Sequence, residues 1–294
     1  QPILCNDSAS ASAIEFTRIA EPQPILCNDS ASASAIEFTR IAEPQPIICK
    51  VSKIFPHHNP KRKKNRNFAQ LHIHRLMLNT IIFDLDGTLL DTLADLAASV
   101  NYALRTHQLA ERTLPEIRQF LGNGIRYLME KSVGGAVTGD AFEKVFQTFR
   151  SHYVNHCLDT TAPYPGIMHA LEALRAKGYK MAIVSNKLHP AVQELSERFF
   201  KGYITSAVGE SATVRRKPNP DAVLAALREL KSEKSNAVYV GDSEVDLQTA
   251  TNAGLPCILV TWGFRDESFL RTLPLQPDTK FAHTAEEFLN MVIQ

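Results

Sequence analysis

An α/β fold, with a parallel sheet and an all-helical insert after its first strand, is what this sequence predicts, and three observations predict it. Residues 78–83 form an apolar run broken only by Asn79 and Thr80, and the run ends in Asp84-Leu85-Asp86-Gly87-Thr88. From Tyr164-Pro165-Gly166 onward, apolar runs alternate with segments of helical spacing. Between these regions lie roughly 70 residues with helical periodicity and no strand pattern. A short apolar run suits a strand buried on both faces, as strands of parallel sheets are.

Ligands of open α/β sheets gather at the carboxyl ends of the strands. The first strand ends in two carboxylates, Asp84 and Asp86, which share a side if the chain there is extended. Crowded carboxylates repel unless a cation lies between them or one holds a proton. The pair therefore predicts a hard-metal site, an acid/base pair, or both.

The insert reads as four helices: Asp91 to His107, Leu114 to Leu121, Ile125 to Ser132, and Thr138 to about Cys157 with Phe142, Val145, Phe146 and Phe149 on one face. An all-helical segment between two strands of one sheet predicts a separate cap, residues 92–161, over a core of residues 77–91 and 162–294. Gly122-Asn123-Gly124-Ile125-Arg126 is a turn opening a helix. Its amides suit an anion and Arg126 a substrate carboxylate, or it is an inter-helix turn with a surface arginine.

After the insert a helix spans about Ile167 to Lys177, capped by Gly178. The strand Lys180 to Val184 then ends at Ser185-Asn186-Lys187, where a serine hydroxyl and amide can bind a phosphate oxygen. A helix (Ala191 to Phe200) and a short strand (Tyr203 to Val208) lead to Arg215-Arg216-Lys217-Pro218-Asn219-Pro220-Asp221. This is either a solvated charge run or the fixed cation that a phosphoryl site needs, on a turn that the two prolines restrict. The strand Ala237 to Val240 runs into Gly241-Asp242-Ser243-Glu244-Val245-Asp246 and a helix ending near Gly254. Asp246, one turn into that helix, points back toward Asp242, whereas Glu244 projects away. With Asp84 and Asp86 they predict a carboxylate cluster around Mg²⁺. A fifth strand (Cys257 to Thr261), the Trp262-Gly263-Phe264 turn with its packing aromatics, and a helix from about Thr284 complete the alternation.

Four segments taken together, Phe83-Asp84-Leu85-Asp86-Gly87-Thr88-Leu89, Ser185-Asn186-Lys187, Lys217-Pro218-Asn219-Pro220 and GDSEVD at 241–246, resemble the four motifs of the haloacid dehalogenase superfamily. The second aspartate places the resemblance in its phosphatase branch, and Asn186-Lys187 is similar to the phosphoglycolate phosphatase-like branch. The resemblance implies a Rossmann-like core with a small helical cap, and Mg²⁺-dependent phosphomonoester hydrolysis through an aspartyl-phosphate. Asp84 would be the nucleophile and Asp86 the acid and base. Asp84 and Asp242 carboxylates and the Asp86 backbone carbonyl would bind the metal, supported by Asp246. Thr88, Ser185, Asn186 and Lys217 would hold the phosphoryl group. The implied substrate is a small phosphorylated metabolite, 2-phosphoglycolate first. Pyrophosphate, sugar phosphates and a sugar-phosphate mutase outcome are alternatives.

Composition narrows the rest. With 44% hydrophobic residues the chain of 294 can bury a sizeable core, and no stretch approaches the length of a membrane span. Residues 1–76 carry 10 Lys/Arg against 6 Asp/Glu, and residues 77–294 carry 22 against 25. The body thus has no nucleic-acid footprint. No CxxC or Cys/His metal spacing occurs among the five cysteines, which predicts a reduced, cytoplasmic protein; a monomer or homodimer is expected. Residues 1–22 recur unchanged as 23–44, a third copy begins at Gln45, and Lys61-Arg62-Lys63-Lys64-Asn65-Arg66 follows near His57, His58, His72 and His74. Perfect short copies look like a recent duplication, so residues 1–76 are expected to be disordered and non-native or upstream-translated sequence. A different class of reading makes this basic segment the functional part of a binding protein.

Overall fold

The computed structural model describes residues 78–293, so the expectations for residues 1–76 lie outside the described residues. Six parallel strands form the sheet, in the order β5-β4-β1-β6-β7-β8. They are β1 (Thr80–Phe83), β4 (Lys180–Leu188), β5 (Ser206–Glu210), β6 (Ala237–Gly241), β7 (Cys257–Val260) and β8 (Lys280–Ala282). Alternation along each strand divides two cores. Ile81, Phe83, Met181, Ile183, Val238, Val240, Ile258 and Val260 face one side, with residues of helices α5 (Ile167–Ala176), α6 (His189–Phe200) and α10 (Ala285–Ile293). Ile82, Ala182, Val184, Tyr239, Cys257 and Leu259 face the other, with residues of α7 (Asp221–Glu229) and α8 (Glu244–Ala253). With both faces covered, every central strand is apolar on both sides, which is why the strands read as continuous runs.

Helices α1 (Leu93–Thr106), α2 (Leu114–Phe120), α3 (Gly124–Val133) and α4 (Gly139–His156) gather around a third core. Leu96, Val100, Leu104, Ile117, Leu128, Met129, Phe146 and Phe149 line it, together with Phe264 from beyond β7. Thr113 caps α2 through a reciprocal bond with Glu116, which fixes where that helix starts. Two short strands, β2 (Leu90–Asp91) and β3 (Ala162–Pro163), pair antiparallel where the chain leaves and rejoins the sheet domain. Just inside them, Asp95 accepts bonds from the backbone and hydroxyl groups of both Thr160 and Thr161, at 2.5 to 3.1 Å. Both connections of this helical lobe are thereby tied at its root.

The structure differs from expectation in several places. The sheet has six strands rather than five, because the brief Lys280-Phe281-Ala282 adds an edge. β4 does not stop at Val184; its backbone pairs on to Leu188 opposite Glu210 across a register shift, so the polar Ser185-Asn186-Lys187 lies within the strand. β5 begins at Ser206, since Tyr203 and Ile204 donate back to Phe200 and close the preceding helix. A short helix, α9 (Glu267–Leu270), follows Phe264. No helix among the described residues is long and apolar enough to cross a membrane.

Candidate active site

Three carboxylates meet at the carboxyl ends of the two central strands. Asp84 leaves β1, its amide donating to the Val240 carbonyl at 2.8 Å. Asp242 leaves β6 and Asp246 lies in the first turn of α8. One oxygen from each lies within 4.8 Å of the others, and all three side chains are buried. Glycines make the approach sterically feasible. Gly87 has φ +91°, and a Cβ there would come within 2.5 Å of Asp242 Oδ2. At Gly241 a Cβ would sit 2.3 Å from the Asp246 carboxyl carbon.

Lys217 is the cation of this cluster. Its Nζ donates to Asp84 Oδ1 and Asp246 Oδ1, both at 2.7 Å, and reaches the Tyr239 hydroxyl at 3.2 Å. Burial alone would lower its pKa, but Asp246 and Asp84 outweigh burial and hold it above the ordinary lysine range. Asp246 is the best satisfied of the acids. Oδ2 accepts from the amides of Asp242 and Ser243 and from the Ser243 hydroxyl, and Oδ1 also accepts from Tyr239. Burial would raise its pKa, yet Lys217 and these donors keep it below the usual carboxylate range.

The other two acids go the opposite way. Burial, then the Asp246 charge, raises Asp84 well above the ordinary value, and the same two causes push Asp242 up to about 7. Asp242 is held by the Phe264 amide at 2.6 Å and weakly by the Thr88 hydroxyl at 3.3 Å. Three buried carboxylates against one ammonium leave the cluster short of positive charge. An all-oxygen donor set with that deficit fits a hard divalent cation.

Asp86 parts company with Asp84. The chain bends at Leu85, whose carbonyl collects the amides of Thr88, Leu89 and Leu90, so the extended geometry expected there is absent. The Asp86 carboxylate is not among the three gathered oxygens; Oδ1 pairs with Lys187 Nζ at 2.9 Å. Ser185 Oγ approaches Asp86 Oδ2 at a long 3.5 Å and accepts from the Lys187 amide at 3.1 Å. Lys187 in turn reaches the Tyr153 hydroxyl on α4 at 3.1 Å. Burial opposes its charge, but Asp86 and Tyr153 hold its pKa above the ordinary value.

The Gly122-Asn123-Gly124 turn is docked on the sheet domain. Asn186 Nδ2 donates to the carbonyls of Gly122 (3.1 Å) and Lys217 (3.3 Å), while its Oδ1 accepts the Lys217 amide at 2.6 Å. Asn186 therefore aligns Lys217 and the turn, and its side chain is engaged there rather than offered to an anion. Arg216 Nη2 binds the Asn123 carbonyl at 2.8 Å. Arg126 does not face the acids: it forms a two-point pair with Glu143 at 2.8 and 3.1 Å and lies over the Phe146 ring. An aromatic face and a carboxylate on α4 outcompete the cleft for it.

Sequence reasoning missed four residues. Arg265 pairs with Glu244 at 2.7 and 2.8 Å and donates to the carbonyls of Arg118 and Leu121, joining α8 to the helical lobe. Tyr239 was legible only as a strand residue, although it stands two positions before Gly241 and so near the acids. Tyr153 ends the stacked column of Phe142, Phe146 and Phe149. Lys187 had a signal, its place beside Ser185, but no partner could be read for it. Trp262 and Phe264 pack as expected, and Trp262 Nε1 also donates to the Thr88 carbonyl at 3.1 Å.

Comparison with known proteins gives the family and the fold. The family model of haloacid dehalogenase-like hydrolases matches residues 81–260. Phosphoglycolate phosphatase from Aquifex aeolicus is 37% identical over 193 residues, 64% of this chain and 86% of its own. Phosphoglycolate phosphatase from Rhodobacter capsulatus is also 37% identical, over 64% of this chain and 87% of its own. Among solved structures, a protein of Lactobacillus delbrueckii subsp. bulgaricus, provisionally described as a phosphoglycolate phosphatase, superposes with TM-score 0.69 at 34% identity. That match covers 74% of this chain and 98% of the other.

Proposed function

The chain belongs to the haloacid dehalogenase-like hydrolases, and from that premise we propose that it is a Mg²⁺-dependent phosphomonoesterase acting on 2-phosphoglycolate through an aspartyl-phosphate. The observation that carries the reading is the buried Asp84–Asp242–Asp246 cluster bridged by Lys217, at the strand ends where such sheets bind ligands. The substrate is carried over from relatives of that name at 37% identity.

On this reading Asp84 attacks phosphorus, and its new bond to phosphorus replaces the ester bond. Asp86 gives its proton to the departing alkoxide, then takes a proton from the water that attacks the aspartyl-phosphate, releasing inorganic phosphate and free Asp84. Lys217, Thr88 and Ser185 hold the phosphoryl oxygens. Lys217 also keeps Asp84 aimed, since it grips Oδ1 from a position that Asn186 and Tyr239 maintain. When bound, Mg²⁺ offsets the repulsion between Asp84 and the incoming phosphoryl oxygens; Asp84, Asp242 and the Asp86 backbone carbonyl would hold it, with Asp246 behind them. The helical lobe serves as the cap that keeps bulk water from the aspartyl-phosphate. The enzyme is proposed to work in the cytoplasm, on a small metabolite, as a monomer or homodimer.

The test is phosphate release by the full chain with Mg²⁺ on 2-phosphoglycolate, pyrophosphate, sugar phosphates and a chromogenic ester. Preference for 2-phosphoglycolate supports the reading. Equal, weak turnover of all esters removes the substrate assignment, and phosphate transfer between sugar phosphates without release replaces hydrolysis with a mutase.

A further inference from the structure

Lys187 is a largely shielded ammonium, its side chain 10% exposed, with one carboxylate partner among the described residues, and that partner is Asp86. The ion pair is compatible with the structure seen but not with the reaction. For Asp86 to serve the leaving oxygen it must turn toward it, and Lys187 then keeps only the Tyr153 hydroxyl. A buried charge that loses its counterion is strongly disfavoured. Something must take the place of Asp86 beside Lys187 when substrate is bound.

The other cations around the cleft are already committed. Lys217 is held by Asp84 and Asp246. Arg265 is held by Glu244 and two carbonyls, Arg126 by Glu143, and Arg216 by the Asn123 carbonyl, with its Nε lacking a hydrogen-bond partner and Glu210 at 3.6 Å. Reach favours Lys187 as well. It stands one salt bridge beyond the carboxylate assigned to the leaving oxygen, so it lies where the first carbons of the leaving alcohol would carry their substituents. Tyr153 approaches the same ammonium from the helical lobe, offering a second donor at that spot.

Resting on the phosphatase reading above, we propose that Lys187 with Tyr153 is the specificity-determining pair, which binds a carboxylate attached directly to the ester carbon and so selects phosphate esters of 2-hydroxy acids. The substrate carboxylate replaces Asp86 as the counterion of Lys187 and frees Asp86 for the leaving oxygen. Selection and activation are then one event: an ester without the carboxylate leaves Lys187 and Asp86 paired. The helical lobe takes part through Tyr153, so a bound carboxylate also bridges the two parts of the molecule.

The experiment measures kcat/KM for 2-phosphoglycolate and for ethyl phosphate, which has a methyl group in place of the carboxylate, in wild type, Lys187→Met and Tyr153→Phe. The readout is the ratio of the two. Wild type should prefer 2-phosphoglycolate; if it turns over both equally, the substrate reading itself has failed, whatever the variants do. Given that preference, Lys187→Met should lower the ratio about 100-fold. Tyr153→Phe, which keeps the ring in its stack, should lower it roughly fivefold through KM. A ratio unchanged in both variants overturns the proposal. Should Lys187→Met be inactive on both esters, the ratio in Tyr153→Phe decides, and an unchanged value there overturns it.

Discussion

The two aspartates of one short turn live in contrasting surroundings. Asp84 is buried in a cluster whose every partner comes from the sheet domain, where backbone amides hold Asp242 and Asp246, carboxylates hold Lys217, and glycines wall the acids. Asp86, two residues on, looks outward to Lys187 and through it to Tyr153 of the helical lobe. The first arrangement is set by the fold of one domain and cannot easily change. The second is a single ion pair, which substrate is proposed to exchange. On the proposed reading the contrast is a division of labour, with phosphoryl chemistry inside the sheet domain and substrate choice at its seam with the lobe.

The most severe way to break the inner site is Asp84→Asn. It keeps the shape and removes the proposed nucleophile, so phosphate release should fall by about 10⁴-fold or more while the circular dichroism spectrum is kept. Lys217→Met should follow, lowering kcat by roughly 10²- to 10³-fold. It also leaves Asp84 and Asp246 facing each other without a counterion, so its thermal midpoint should drop, which a melting curve checks.

The seam should respond differently. Arg265→Met removes the tie from Glu244 to the carbonyls of Arg118 and Leu121. The expected outcome is a loss of roughly 1–3 kcal/mol in urea unfolding, with KM rising more than kcat falls. Equal losses of kcat in Arg265→Met and Lys217→Met would erase the distinction between seam and inner site.

The smallest effect sharpens the comparison through pH. Without a cation, burial and Asp246 push Asp242 up to about 7. A carboxyl with a raised folded pKa binds its proton more tightly in the folded state. Its contribution to stability is therefore present at low pH and is lost as pH rises from the ordinary carboxylate range through about 7. A divalent cation takes over from the proton. Added Mg²⁺ should raise the melting temperature by a few degrees at about pH 8 and by less at about pH 5.5. Asp86→Asn, which keeps the backbone carbonyl, should keep the trend.

Much of the inner site was legible because its residue types coincide with strand ends. Asp84 after an apolar run and Asp242 four residues before Asp246 carry their position in the local pattern, whereas Lys217 was picked out from its basic neighbours by the resemblance of its proline-braced turn. What was not legible depends on contacts between distant segments. The bend at Leu85 separates Asp84 from Asp86, and no local rule for extended chain foresees it. Lys187 and Tyr153 meet across 34 positions, and Arg265 reaches Leu121 across 144. Arg126 looked available from its place after a glycine turn, but Glu143 and Phe146 lie on a neighbouring helix face that sequence spacing does not reveal. The sixth strand escaped because three residues at a sheet edge make too short a pattern to stand out.

The central claim is that Asp84 becomes phosphorylated during turnover. Its direct test is to quench the full-length enzyme in acid during turnover of 2-phosphoglycolate with Mg²⁺, reduce it with borohydride and map the product by mass spectrometry. An aspartyl-phosphate at Asp84 would be reduced to homoserine at that position, and the account predicts this in wild type and its absence in Asp84→Asn. Homoserine at Asp86 instead, or active enzyme with Asp84 unmodified at every quench time, would contradict it.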